Sequence, residues 1–308
     1  MTPSTHTLWE LNGTLIAGYP TTKPIIPLGI TITYDDILYI SDCGHHRIGY
    51  IPVNLSSNIT FIEVSSVSST CVLPFDVFVK NKSLYVLCSE SFQVRNMSLN
   101  GSDSVVVLSF AGTVGQSRYF YIDNNDKIHL EIHYSYLAQR IEAMKKFPPP
   151  DKIIDWLTNR FNWPSHPQGI FVNKIGSVYI ADYFGHRILR VLPGAESTTV
   201  VAGDGISGLD LTHLYYPTQI IVDDEEYIYI SEQANRRITR WTPYAVFGVC
   251  IAGCAHPHAV SAMNIISPLS FAFDSSGSLY VSDGNTRVLK FQARISPQSK
   301  YLLYLSFT

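Results

Sequence analysis

The chain has 308 residues, 46% of them apolar and 15% charged, with a formal net charge of −3. That balance excludes a disordered chain, and with no clustered Lys/Arg face it speaks against nucleic acid as a partner. No apolar run reaches the ~20 residues needed to cross a bilayer, Tyr301–Phe307 coming nearest; the opening residues lack a signal peptide's basic region and apolar core, so a secreted form would belong to something longer.

In chain order the first apolar strand is Thr14–Gly18, ending in Ala-Gly. From Pro27 a template begins: an alternating strand opened by Pro, a turn, an apolar-Tyr-apolar strand closed by an acid, and a third strand opened by Arg-Ile. It reads Pro27-Leu-Gly-Ile-Thr-Ile, Leu38-Tyr-Ile-Ser-Asp42 and Arg47-Ile48. A degenerate copy follows, Pro74-Phe-Asp-Val-Phe-Val with Leu84-Tyr-Val-Leu-Cys88, where Cys88 replaces the acid and Gln93 the arginine. A second degenerate copy runs Tyr119-Phe-Tyr-Ile-Asp, Ile128-His-Leu-Glu-Ile132 and Arg140-Ile141. Residues 147–161 then break the period with Pro148, Pro149 and Pro150, and Asp151 could cap a short helix there; a divergent strand with a long loop is the plainer reading. Three good copies complete the series, closing their second strands with Asp182, Glu232 and Asp283 and opening their third with Arg187, Arg237 and Arg287.

The acid positions 42, 88, 132, 182, 232 and 283 step by 46, 44, 50, 50 and 51, which predicts six copies of one unit. A further strand ending in Ala-Gly after most copies, as at Thr199–Gly203 and Val249–Gly253, makes each unit a four-stranded antiparallel sheet. The expectation is therefore one all-β domain over residues 1–308, a six-bladed β-propeller. Its blades cover about 27–64, 74–112, 117–150, 167–203, 217–253 and 268–292. The strand within 11–18 could close the last blade, and Tyr301–Phe307 competes for that place.

Pro-x-Gly-φ-x-φ, φ-Tyr-φ-(Ser/Ala)-Asp and (Asn/His)-x-Arg-Ile, as in Asp182-Tyr-Phe-Gly-His-Arg187-Ile188, resemble the NHL repeat over about residues 11–292. Members of that family bind RNA or protein, and one is a zinc-dependent lyase, so the resemblance implies a fold more than an activity.

Each acid and the arginine after it, Asp42/Arg47, Asp182/Arg187, Glu232/Arg237 and Asp283/Arg287, sit four or five residues apart across a turn. Their recurrence predicts structural ion pairs rather than a cation-holding ring. Among ten histidines, His45, His46 and His186 occupy the repeat's own turn, and His129 and His133 are too far apart along a strand for one zinc. His256 and His258, near Cys254, are the one weak metal hint. No spaced histidine set, Gly-rich phosphate loop or nucleophile elbow is visible, so neither a cofactor nor an enzyme is expected.

Asn-x-Ser/Thr triplets occur at Asn12, Asn54, Asn58, Asn81, Asn96 and Asn100, and the topology maps all six to one face. The cysteines map to the other. Cys71 and Cys88 flank one hairpin, Cys250 and Cys254 could close a small loop, and Cys43 is left over. Together these features favour an extracellular, monomeric recognition scaffold within a larger protein, binding a protein, peptide or glycan through loops. The alternatives are a cytoplasmic interaction module, with its RNA-binding variant, and a metal-dependent lyase or hydrolase.

Overall fold

The computed structural model describes residues 8–10, 12–18, 25–53, 59–63, 71, 73–91, 93–101, 104–109, 118–133, 139–144, 164, 166–195, 197–254, 264–284 and 286–294. Two short strands come first, β1 (Leu8–Trp9) and β2 (Thr14–Gly18). The first blade is β3 (Pro27–Ile32), β4 (Ile37–Asp42), β5 (Arg47–Pro52) and β6 (Thr60–Glu63). The second is β7 (Pro74–Lys80), β8 (Ser83–Cys88), β9 (Gln93–Ser98) and β10 (Val105–Ser109). A three-stranded sheet follows: β11 (Phe120–Ile122), β12 (Ile128–His133) and β13 (Gln139–Met144).

The third blade is β14 (Pro167–Val172), β15 (Val178–Asp182), β16 (Arg187–Val191) and β17 (Thr199–Ala202). The fourth is β18 (Pro217–Val222), β19 (Ile228–Glu232), β20 (Arg237–Trp241) and β21 (Val249–Ala252). The fifth combines β22 (Pro268–Phe273), β23 (Leu279–Asp283) and β24 (Arg287–Phe291) with β2, which pairs from Thr14↔Lys290 to Gly18↔Arg287. Last, β25 (Ala293–Arg294) pairs with β1.

The expected six four-stranded blades are therefore corrected to five, with a three-stranded sheet between the second and third. That count is of the described residues; in sequence, the stretch after Met144 holds three consecutive prolines, which cannot donate to a sheet ladder. Both the helix considered at 151–161 and the tail at 301–308 lie outside the described residues.

Strands β3, β7, β11, β14, β18 and β22 touch one another in that cyclic order, β22 returning to β3, so the sheets stand radially around a channel. This is the β-propeller arrangement. Each sheet buries both faces against its neighbours, which is why β4, β8, β15 and β23 read as almost continuous apolar runs and are nearly wholly buried. The template's tyrosines on these strands, Tyr39, Tyr85, Tyr179 and Tyr280, are among the largest fully buried side chains. Hydroxyls tie inner strands together across the gaps: Ser41 Oγ reaches Phe75 O at 3.0 Å, Ser282 Oγ reaches Leu28 O at 2.6 Å and Thr218 Oγ1 reaches Pro268 O at 3.2 Å.

Two disulfides are present, Cys71–Cys88 with Cα atoms 5.0 Å apart and Cys250–Cys254 at 5.7 Å, and Cys43 is a free, buried thiol. Among the described residues no helix is long and apolar enough to cross a membrane.

Candidate functional site in the central channel

Register alignment of the inner hairpins shows what faces the channel. Ile30↔Ile40, Val77↔Val86, Phe120↔Leu130, Ile170↔Ile180, Ile220↔Ile230 and Phe271↔Val281 are equivalent pairs. The residues just before them, Gly29, Asp76, Tyr119, Gly169, Gln219 and Ser270, therefore form one polar ring. Because side chains alternate along a strand, the residues two further on, among them Phe78, Tyr121 and Phe171, form a second ring of aromatic character. Phe78 meets Tyr121 at 5.3 Å between centroids and Tyr121 meets Phe171 at 4.9 Å, a continuous aromatic arc. The two rings bound a cavity of about 230 Å³ that reaches Ile30, Asp76, Tyr119, Gln219 and Phe271.

Three polar-ring side chains each accept a backbone N–H from the next sheet. Ser270 Oγ takes Ile30 N at 3.1 Å, Gln219 Oε1 takes Phe271 N at 2.5 Å and Asp76 Oδ2 takes Phe120 N at 3.2 Å. Asp76 Oδ1 also accepts its neighbour's N–H, from Val77 at 2.9 Å. Tyr119 reaches across the ring, donating its phenol to Leu269 O at 3.0 Å.

Asp76 is the one member of this ring that ionises near neutrality. It is 6% exposed, and burial outweighs its two backbone donors and carries the carboxyl from 3.8 to about 7. Gly29 makes room for it, since a Cβ there would stand 2.1 Å from Asp76 Oδ1; Gly169 in the same way admits the next inner strand, a Cβ there standing 2.4 Å from Thr218 O. Burial, and after it Asp123, also lifts the Tyr121 phenol to about 12, so that ring stays neutral.

The acid–arginine residues singled out from sequence are elsewhere, where the second strands end and the third begin. Arg47 Nε lies 2.8 Å from Asp42, Arg187 Nε 3.0 Å from Asp182, Arg237 Nε 2.9 Å from Glu232 and Arg287 Nη2 2.9 Å from Asp283. Each acid also accepts a backbone N–H from the segment leading into its inner strand, from Ile26, His166, Tyr215 and Ser267 respectively. All four carboxylates are fully buried, and each is held by its arginine and a backbone N–H.

The turn histidines have comparable duties. His45 Nδ1 lies 2.8 Å from Asp42, while His46 and His186 accept the N–H groups of Leu73 and Tyr216 in the next module. His129 replaces the template tyrosine and lies 2.9 Å from Asp123, as Tyr229 and Tyr280 bond Asp223 and Asp274 at 3.2 Å. Asn54, Asn58, His256 and His258 lie outside the described residues. Among the described residues no three His, Cys, Asp or Glu side chains converge on a point that could hold a metal.

A larger cavity, about 430 Å³, lies between the outer strands of the third and fourth blades, lined by Tyr179, Arg190, Trp241 and Tyr244 among others. Its size exceeds that of the channel cavity, but its acidic groups are surface residues: Glu226 stands 3.9 Å from Arg190 and is 38% exposed. The channel cavity holds a buried carboxyl raised to about 7. Sequence reading passed over Asp76, Tyr119 and Gln219. The available signal was the third position of the inner strand, where Pro27-Leu-Gly and Pro167-Gln-Gly give way to Pro74-Phe-Asp and Pro217-Thr-Gln.

The molecule is thus a β-propeller with a partly polar, partly aromatic central cavity. No family model and no curated protein sequence matches the chain. Solved structures do. A streptogramin B lyase is 13% identical with a TM-score of 0.59, over 92% of this chain and 98% of that one. Regucalcin from Agrobacterium tumefaciens, a calcium-binding protein, is 13% identical at a TM-score of 0.64, over 95% and 99%. A putative gluconolactonase is 11% identical at 0.66, over 94% and 95%. At such identities the likeness is one of fold. It still corrects the expectation of a non-catalytic scaffold for a protein, peptide or glycan: the propellers this chain resembles along nearly its whole length include enzymes, and the absence of a familiar motif was no ground for excluding catalysis.

Proposed function

We propose that this chain is a propeller enzyme of the lyase or hydrolase kind, with its reaction centre in the channel and Asp76 as the group that takes the proton. The observation that carries the reading is a carboxyl enclosed in the channel cavity and brought to about 7, where it exchanges a proton at physiological pH. The aromatic arc favours a compact substrate with a flat or apolar body. Asp76 would remove a proton from an acidic carbon of that substrate, giving elimination, or from a water beside it, giving hydrolysis. The Gln219 side-chain N–H groups on the same ring, its Oε1 being taken by Phe271 N, are placed to hold a substrate carbonyl or the oxyanion that develops from it. The described residues offer no donor set for a metal, so no step runs through one.

The test is turnover of a panel of small lactones, aryl esters and β-elimination substrates by wild type and Asp76→Asn. Loss of kcat by about 100-fold or more, with KM changed little, is expected of a general base. Full turnover in the variant would assign the chemistry elsewhere.

We also infer that the repeats are of NHL type, supported by the template from Asp182 to Ile188 and its three companions. The two disulfides support folding in an oxidising compartment, outside the cytosol.

A further inference from the structure

The strand directions sort the Asn-x-Ser/Thr triplets by position. Inner and third strands run toward one face of the ring, and second and outer strands run away from it, so the turns after β7 and β9 and the entry to β2 share that face. Asn81 is in the β7–β8 turn and exposed, with φ of 51°, and Lys82 beside it has φ of 57°. This two-residue turn has left-handed backbone at both corners, which asparagine tolerates better than most residues, and it points its corner side chains to solvent. Asn100 is exposed in the β9–β10 turn, closed by Gly101 N to Ser98 O at 2.9 Å. Asn12 is exposed two residues before β2. Asn96 differs: it lies within β9, half-buried, between its ladder partners Tyr85 and Val105.

We propose that Asn12, Asn81 and Asn100 carry N-linked glycans and that Asn96 does not. The proposal rests on the oxidising-compartment reading above, since the transfer takes place on the secretory route. In the transfer, the asparagine amide nitrogen bonds to the anomeric carbon of an oligosaccharide carried on a lipid diphosphate. The carbon–oxygen bond to that diphosphate breaks, the lipid diphosphate leaves with the electron pair, and the amide gives up one proton. A triplet alone does not decide occupancy, because a folded chain must also project the sugar into water. Asn12, Asn81 and Asn100 do so from turns or loops, whereas a sugar on Asn96 would have to leave from the middle of a paired strand.

The consequence is an asymmetric face. Glycans would cover its second and fifth blades. On the third and fourth blades of the same face Ile175, Leu192, Tyr244, Val246 and Phe247 are exposed, and no triplet lies near them.

The experiment is secretion of the full chain behind a cleavable leader from a eukaryotic cell. Enzymatic deglycosylation in ¹⁸O-water then labels each formerly occupied asparagine as aspartate for peptide mass spectrometry, and a Ser83→Ala variant removes the Asn81 triplet without touching that asparagine. Label at Asn12, Asn81 and Asn100 with none at Asn96, and one fewer glycan in Ser83→Ala, is the expected result. A bare Asn12, Asn81 or Asn100, or a labelled Asn96, overturns the proposal. Disulfides are mapped in the same sample. Bare asparagines with both disulfides formed sink the glycans alone, and glycans with reduced cysteines sink the compartment reading alone.

Discussion

Replacing Asp76 with asparagine keeps the side chain's shape and removes its titration. In the wild type the folded state holds a proton on Asp76 between 3.8 and about 7, where the unfolded chain releases it. Below that window both states are protonated and the group is neutral to stability. As pH rises through it, stability falls, and above it the buried anion carries the whole penalty. At about 1.4 kcal/mol per pH unit that penalty is about 4 kcal/mol. Asparagine forfeits one of the two accepted N–H bonds, from Phe120 or Val77, at about 1 kcal/mol, but it has no pH dependence. The variant should therefore be slightly less stable than wild type near pH 4 and more stable near pH 8, with the two curves crossing between. Urea unfolding at constant ionic strength, followed by intrinsic fluorescence across that range, measures the midpoints. Parallel curves for the two proteins would refute the assignment of a near-neutral carboxyl to Asp76, and with it the proton carrier.

Further outcomes follow from the same packing. Arg237→Ala leaves the fully buried Glu232 without its guanidinium and should cost about 3–5 kcal/mol by chemical denaturation, more than Arg47→Ala, whose arginine is 19% exposed. His129→Tyr restores the template and should change stability by less than about 1 kcal/mol, whereas His129→Leu strands Asp123 and should cost about 1–3 kcal/mol. Burial holds His129 below its ordinary 6.5 against the pull of Asp123, so its contribution to stability falls as pH drops below that value, and thermal melts should show wild type losing ground to the Tyr variant there. Native protein should show no thiol reactive toward an aromatic disulfide reagent and denatured protein one, because burial, then Asp42, raises the Cys43 thiol to about 11. Reduction should cost about 3 kcal/mol, chiefly through Cys71–Cys88, whose loop spans 17 residues against 4 for Cys250–Cys254.

How far the sequence carried depends on what each position is for. Asp182 and Arg187 were legible because a side chain that closes a turn in every module must recur, and recurrence is visible without coordinates. The three-stranded sheet was hidden by the opposite circumstance: the spacing of the acid positions stays regular across it, so spacing alone predicted a full four-stranded unit. Asp76 was written off as part of a degenerate copy. Its chemistry comes from enclosure by Gly29, Tyr119 and Phe120, residues of the two neighbouring sheets, and no local pattern announces that. His129 was set aside as too far from His133 for a shared zinc, and it proved to be a stand-in for tyrosine once its partner Asp123 was in view.

The fifth blade joins two chain segments more than 250 residues apart, with Trp9 Nε1 donating to Gly277 O across a separation of 268. A ring sealed in this way cannot be completed during synthesis until β24 has emerged. Until then Thr14–Gly18 waits without the partner at Arg287–Lys290 that it pairs with in the folded ring. Loss of this seam would open the whole circle, so pulling the two ends apart should unzip the blade at that junction before any other module yields.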